Sequence, residues 1–255
     1  MSGRNQYEAS RVIRTVLADD CACEPEAFAR DGVTVVPHEL RPNRRRYPAP
    51  ASPLLAVTTG SGVVIAAHPD RLDEVRETVG QTTRDTLFSA TVIGRLATLV
   101  ERDRQQLHGP NLWFACSRDR FRAARSSPDV EISVVERDAI PELYAHPGFT
   151  SALMYRADHP RPDMIATVAR REGRIVGIAG ASADCDRLWQ VGVEVIPEER
   201  QHGIGRALVS RLTDAVLATG RIPAYSTAVS NIASRSLALR LGYWPAWTEL
   251  YALER

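Results

Sequence analysis

The segment Val191-Gly-Val-Glu-Val-Ile-Pro-Glu-Glu-Arg-Gln-His-Gly-Ile-Gly-Arg-Ala-Leu-Val209 constrains the fold of this chain more than any other stretch. A short β-branched run passes through Pro197 and a glycine-containing turn into a stretch where Ile204, Leu208, Leu212, Ala215 and Val216 recur at helical spacing. Arg206, Ser210, Thr213 and Asp214 form the polar side of that helix, and Gly220 stops it. The first turn of any helix carries N–H groups without intrahelical partners and the positive end of the macrodipole. Gly203 and Gly205, lacking Cβ, let backbone approach a ligand closely, so the pattern predicts an anion-binding strand–turn–helix suited to phosphates.

Downstream, Ala224-Tyr-Ser-Thr-Ala-Val229 has strand character. Ser230-Asn231 then opens a helix that runs to Leu241 and is capped by Gly242. Upstream, Val130–Glu136 alternates as a strand should, and short helices are expected at Ala139–Leu143 and about Thr150–Arg156. Met164–Ala169 and Arg174–Ala181 form an antiparallel pair leading into the strand Trp189–Ile196.

Arg200-Gln-His-Gly-Ile-Gly205 resembles the Arg/Gln-x-x-Gly-x-Gly/Ala signature of the GNAT superfamily of N-acetyltransferases, and Asn231, Ser234 and Leu241-Gly242-Tyr243 match a second pattern common in that superfamily. The element order over residues 130–255 is also that of a GNAT domain. The resemblance therefore implies an α/β (α+β) fold: a mixed, mostly antiparallel GNAT-type sheet with flanking helices. It further implies an acetyl-coenzyme A-dependent N-acetyltransferase that moves an acetyl group directly to an unidentified primary amine, on a small molecule or a protein.

By the same resemblance, Arg200, Gln201, His202, Gly203, Ile204, Gly205 and Arg206 wrap the pyrophosphate of acetyl-coenzyme A. The main chains of Val193 and Val195 hold the pantetheine arm and polarise the acyl carbonyl, Asn231 reaches that arm, and Ser234 lies near it. Helix capping is the purely local alternative for Asn231 and Ser234. Glu194 is the candidate base, with a structural carboxylate as its alternative reading. Asp184 and Asp186 are alternatives suited to a cationic substrate, and Trp189 is a core residue or a wall of that pocket. Many members of the superfamily carry a Tyr acid seven residues after the Asn, where this chain has Ala238; Tyr243, as a weak candidate acid, Tyr225 or water would have to replace it. That departure motivates the rival reading of a non-catalytic acyl-coenzyme A-binding or regulatory module. A dinucleotide-binding oxidoreductase is disfavoured, because Leu208 stands where a third glycine would be and no repeating parallel β-α-β pattern appears.

The length of 255 residues suits one large or two modest domains, and 44% hydrophobic with 25% charged residues is ordinary for a globular protein. Punctuation places the boundary in the polar stretch Ser117–Asp129, giving an N-terminal α/β domain, 1–125, and the GNAT-type domain, 126–255. The N-terminal part carries no signature motif. It reads as a helix near 5–19, a strand at 33–36, a hairpin of Leu54–Thr58 and Val63–Ala66, helices over Pro69–Val79 and Thr86–Asp103, and a strand over Asn111–Cys116. A degenerate GNAT-like half is one reading of that pattern.

All 32 basic residues are Arg, so the chain has no lysine to act as base or Schiff-base former. A net charge of +1 argues against a broad nucleic-acid surface. Arg41 and Arg44-Arg-Arg46, set among Pro42, Pro48, Pro50 and Pro53, read as a solvated basic loop. The four cysteines and six histidines lack metal-ligand spacing, so no metal is expected. A cytoplasmic protein without a membrane partner is expected, since neither a signal-peptide pattern nor a bilayer-length apolar run occurs. The oligomeric state, a homodimer included, stays open.

Overall fold

Alternating apolar residues and glycine turns make much of this chain strand, and the computed structural model, which describes residues 4–47, 54–125, 127–154, 156 and 158–254, follows that pattern. The chain runs α1 (Gln6–Asp20), β1 (Val33–Pro37), β2 (Leu54–Thr58), β3 (Val63–Ala67), α2 (Leu72–Val79), α3 (Arg84–Leu87), α4 (Ala90–Glu101) and β4 (Gln105–Ala115). β5 (Glu131–Glu136), β6 (Asp163–Arg171), β7 (Arg174–Ala183) and β8 (Leu188–Val195) follow, then α5 (Ile204–Ala218), β9 (Ile222–Ala228), α6 (Ile232–Arg240) and β10 (Trp244–Glu254).

The chain divides into two compact units that are not consecutive in sequence. The C-terminal unit comprises the chain up to Ala9, Phe114–Ser226 and Ile232–Trp244; the N-terminal unit comprises Ser10–Trp113, Thr227–Asn231 and the chain from Pro245. The sequence reading divides the chain once, near Ser126, a residue outside those described. The polar stretch before it is packed against its own unit. Arg122 N–H donates to Leu241 O (2.9 Å), Ala124 N–H to Ser210 Oγ (2.8 Å), and Arg118 pairs with Asp214 (2.6 Å). Gly242 is required there, because a Cβ would lie 1.9 Å from Arg120 O.

The C-terminal unit is a mostly antiparallel open sheet in the order β9-β8-β7-β6-β5, with β8 and β9 parallel. One face takes α5. Gly177, Ala179 and Ala181 of β7 stand beside Val195, Val193 and Val191, and these small residues admit the helix: a Cβ on Gly177 would meet Leu208 Cδ1 at 2.9 Å. The other face takes the 3-10 helix Arg137–Ala145 and a turn at Phe149. Ile140, Leu143, Phe149 and Leu153 bury against Val168 and Ile178, each large side chain contributing about 1.5–3 kcal/mol. The helix expected near Thr150–Arg156 is instead a turn in which Ala152 and Leu153 N–H both donate to Phe149 O. Tertiary contact overrides local preference here, since the carbonyls of Ser151 and Ala152 press onto Gly192 and Gly180, where a Cβ would lie 2.2 and 2.3 Å away.

The N-terminal unit holds strands in the order β1-β3-β2-β10-β4, with β1 and β3 parallel, the expected β2–β3 hairpin at its centre and flanking helices. Val75, Leu87, Leu96 and Leu99 pack on Leu54, Ile65 and Leu250. Its Arg-rich loop corrects the sequence reading, although residues 48–53 lie outside those described. Arg45 is not solvated; it is 1% exposed. Its Nε donates to Asp20 Oδ2 (2.5 Å), its backbone N–H to Asp20 Oδ1 (2.6 Å), and a terminal nitrogen to Glu249 Oε2 (2.7 Å). The guanidinium lies 5.2 Å from the ring centres of both Trp113 and Trp247, whose indole N–H groups donate to Glu249. Burial works against the charge on Arg45, but the two carboxylates hold it protonated; burial also pushes the Asp20 carboxyl up despite its cation.

Candidate functional site

The glycine turn adopts the geometry its sequence requires. Gly203, the N-cap of α5, sits at φ 79° and ψ 0°, and Gln201 is also left-handed at φ 68°. The first bond of the helix runs from Ala207 N–H to Gly203 O, so the N–H groups of Ile204, Gly205 and Arg206 lie ahead of the hydrogen-bonded ladder. Ile204, 3% exposed, anchors the turn in the core, while Gln201, His202, Gly203 and Arg206 are exposed. Together the left-handed residues and the helix start form a concave set of donors with the positive dipole end behind it. A Cβ on Gly205 would meet Val195 Cγ2 at 3.6 Å and Leu237 Cδ1 at 3.7 Å, ordinary contacts, so protein packing alone does not demand glycine there. Arg200 is not aimed at the turn: its Nε donates to Val195 O (3.0 Å).

Leading into that turn, β8 pairs with β9 only through Leu188↔Ile222, Trp189↔Pro223 and Gln190↔Ala224. Beyond Gln190 the two strands part. Main-chain direction alternates along β8: Ile222 N–H donates to Arg187 O on the β9 side, whereas Ile196 N–H donates to Val176 O on the β7 side. The peptide groups of Val191, Val193 and Val195 therefore face the fork, and the expected main-chain positions of Val193 and Val195 are on its wall. Their side chains point to the α5 face, within 4.0 Å of the Cβ that Gly205 lacks.

Glu194 points to the opposite face, where its Oε2 accepts from Ser151 N–H at 3.0 Å. It is half-buried. On the same face, Gln190 Nε2 donates to Ser226 Oγ (2.9 Å), and Gln190 Oε1 accepts from Arg161. Arg161 and Asp184, 4% and 0% exposed, are ion-paired at 2.6 Å. This corrects the expectation that Asp184 receives a cationic substrate: its charge is already answered from within the chain. Asp186 is exposed, and Trp189 is a core residue with Arg221 5.3 Å from its ring centre. Sequence reasoning missed Gln190, Arg161 and Ser226, which no motif or periodicity links.

Asn231 is an exposed residue ending the turn before α6, its N–H donating to Ala228 O (3.0 Å). Ser234, in the first turn of α6, hydrogen-bonds the hydroxyl of Tyr225, which burial keeps protonated above the usual phenol range. Ala238 is fully buried. Tyr243 does not have the access an acid needs. It is 1% exposed, its hydroxyl bonds Thr213 Oγ1 (2.7 Å), which bonds Val209 O (2.6 Å), and burial pushes its proton affinity well up. Thr213 lies more than two turns along α5 from the glycine turn, which removes Tyr243 from the fork.

Among the described residues no group of three or more His, Cys, Asp or Glu could hold a metal, and no helix is long and apolar enough to cross a membrane. All four cysteines are free thiols. Burial raises Cys23 to about 11 and Cys116 to about 12.

The profile of the acetyltransferase (GNAT) family matches residues 132–243, a span that contains both the fork and the glycine turn. Residues 132–243 are a GNAT-family acetyltransferase domain. The fold extends the likeness beyond that domain. The GCN5-related N-acetyltransferase-like protein from Streptococcus suis 89/1591 superposes with a TM-score of 0.51 at 15% identity, covering 97% of this chain and 99% of its own. The GCN5-related N-acetyltransferase from Kribbella flavida gives 0.50 at 17% identity, covering 95% of each chain. No curated protein matches the sequence. The GNAT domain thus supplies the transferase fold, and the two neighbours share a fold that also takes in the N-terminal residues.

Proposed function

We propose that the protein is an acetyl-coenzyme A-dependent N-acetyltransferase acting on a primary amine, with its site at the β8–β9 fork. One observation carries this reading: a strand that β9 stops pairing after Gln190 runs directly into a left-handed glycine turn and a helix start, a continuous wall for an arm ending in a pyrophosphate. Val193 would hold the arm by its peptide groups and Val195 by its N–H, its carbonyl being taken by Arg200, and the N–H groups from Gln201 to Arg206 would hold the phosphates. Gly203 supplies the backbone shape and Arg206 adds exposed positive charge. Ser234, in the first turn of α6, would lie beside the arm. Bound there, acetyl-coenzyme A supplies an activated acyl group and a thiolate leaving group.

Glu194 would take the proton from the acceptor nitrogen, directly or through water, as the half-buried carboxylate beside the fork on the face opposite α5. The same carboxylate fixes the Ser151 turn, so it also shapes the acceptor side. With Ala238 at the usual acid position and Tyr243 and Tyr225 both buried, water would protonate the thiolate leaving group. The decisive assay is release of free coenzyme A from acetyl-coenzyme A across a panel of small-molecule and peptide amines. Amine-dependent release is expected; tight coenzyme A binding without release from any amine would favour the second reading, a non-catalytic acyl-coenzyme A-binding module, for which buried Ala238 and sealed Tyr243 speak.

A further inference from the structure

The β8–β9 ladder stops at Gln190↔Ala224, yet the fork is not left open at that point. Gln190 reaches across to Ser226, two residues past Ala224, and its Nε2 donates to Ser226 Oγ at 2.9 Å. A side-chain hydrogen bond thus continues the strand contact on the face that carries Glu194. Gln190 is not a mobile side chain. Its Oε1 accepts from Arg161, whose Nε donates to Asp184 Oδ1 at 2.8 Å, and both partners of that ion pair are nearly or wholly excluded from water. A buried pair is costly to break, because removing either partner leaves the other charge unanswered. The Gln190 amide is therefore held by a rigid support, with its orientation fixed at both ends: oxygen to Arg161, nitrogen to Ser226.

From Val195, next to the glycine turn, the fork wall runs back to Val191, about 13 Å at roughly 3.3 Å per residue, and ends at this clasp. An arm anchored by its phosphates at the turn and laid along β8 meets Gln190 and Ser226 at its far end, where the acyl group lies. We propose that the Gln190–Ser226 clasp is the floor of the acyl pocket and restricts the protein to short acyl groups, acetyl before butyryl. The inference rests on the functional reading above, and it assigns to Gln190 and Ser226 a specificity-determining role and to Arg161 a positioning role through Gln190.

The test is calorimetric binding of acetyl-coenzyme A and butyryl-coenzyme A to the full chain, without acceptor. Wild type is expected to prefer the acetyl thioester by roughly 10-fold or more, the scale of added methylenes meeting a closed pocket. Gln190→Ala, shown folded by its thermal transition, is expected to shrink that ratio by about 10-fold. A purely structural role for Gln190 would not move an acyl-length ratio. If Gln190→Ala fails to fold, Ser226→Gly opens the same place from β9 while keeping the Arg161–Gln190 bond, and the same shrinkage is expected. Equal affinity of wild type for the two thioesters, or an unchanged ratio in the folded variant, overturns the inference and leaves the functional reading standing. Binding of neither thioester by wild type overturns both.

Discussion

In the C-terminal unit, β8 and β9 share three residue pairs and then separate, leaving the peptide groups of Val191, Val193 and Val195 toward a gap. In the N-terminal unit, β2 is paired with β3 from Leu54↔Ala67 to Thr58↔Val63 and with β10 from Tyr251↔Leu55 to Thr248↔Thr58. The two units also use arginine differently. Arg45 fills a core position between two indoles and two carboxylates, whereas Arg161, also buried, supports a polar side chain where the β8–β9 pairing ends. Main chain that no neighbouring strand pairs is a stability liability that a ligand can use. A buried ion pair inside a paired sheet offers a ligand little and mainly penalises its own disruption.

That contrast is most directly broken at Arg45. Arg45→Met should cost about 3–5 kcal/mol, since it leaves Asp20 and Glu249 buried without their cation. Urea unfolding measures it; a loss under about 1 kcal/mol would mean the aromatic sandwich, not the charge, holds the loop.

At the fork, the loss should appear in binding. Gly205→Asp should abolish measurable coenzyme A affinity with little effect on unfolding, because its Cβ makes only ordinary contacts and a carboxylate in the first helical turn suits the dipole while repelling phosphates. Gly203→Asp should lose binding and stability together, since a residue with Cβ is strained at φ 79°. Unchanged affinity in both, by calorimetry, would separate the turn from coenzyme A.

Glu194 distinguishes catalysis from packing. Glu194→Gln still accepts from Ser151 N–H but takes up no proton, so turnover at neutral pH should fall roughly 100-fold with coenzyme A affinity nearly unchanged. A pH–rate profile with a confirmed acceptor checks this; retention of the wild-type acidic limb would make Glu194 a loop anchor only.

The smallest effect concerns the thiols, where the two units should behave alike. Cys116 in one and Cys23 in the other are raised by burial to about 12 and about 11, above a free thiol near 8.5. For a folded-state value above the unfolded one, the stabilisation is complete below the unfolded value and is lost as pH rises through the folded one. Stability should therefore decline from about pH 9 toward about pH 12, and Cys116→Ala should flatten that decline in chemical-denaturation curves. At neutral pH a thiol reagent should label Cys185, the partly exposed thiol, ahead of the other three.

Local chemistry made much of this legible. Gly203 before an apolar-periodic run determines a left-handed N-cap and an anion-ready helix start, and Thr59-Gly-Ser-Gly62 between two apolar runs determines the β2–β3 hairpin; each depends on residues adjacent in sequence. Strand alternation likewise sends Glu194 to the face opposite Val193 and Val195, as found. Tertiary structure alone decided what depends on distant partners. Arg45 leaves solvent because Glu249, 204 residues away, and Asp20 close around it. Asp184 is lost as a substrate ligand because Arg161 takes it, and Tyr243 as an acid because Thr213 and the core seal it. β10 folds from Pro245 with the N-terminal unit, although the punctuation of the sequence assigns it to the C-terminal one. A turn or a helix start is settled by φ, ψ and side chains within a few residues, whereas burial and the pairing of charges are settled by whichever elements the chain brings together, and sequence spacing does not encode that meeting.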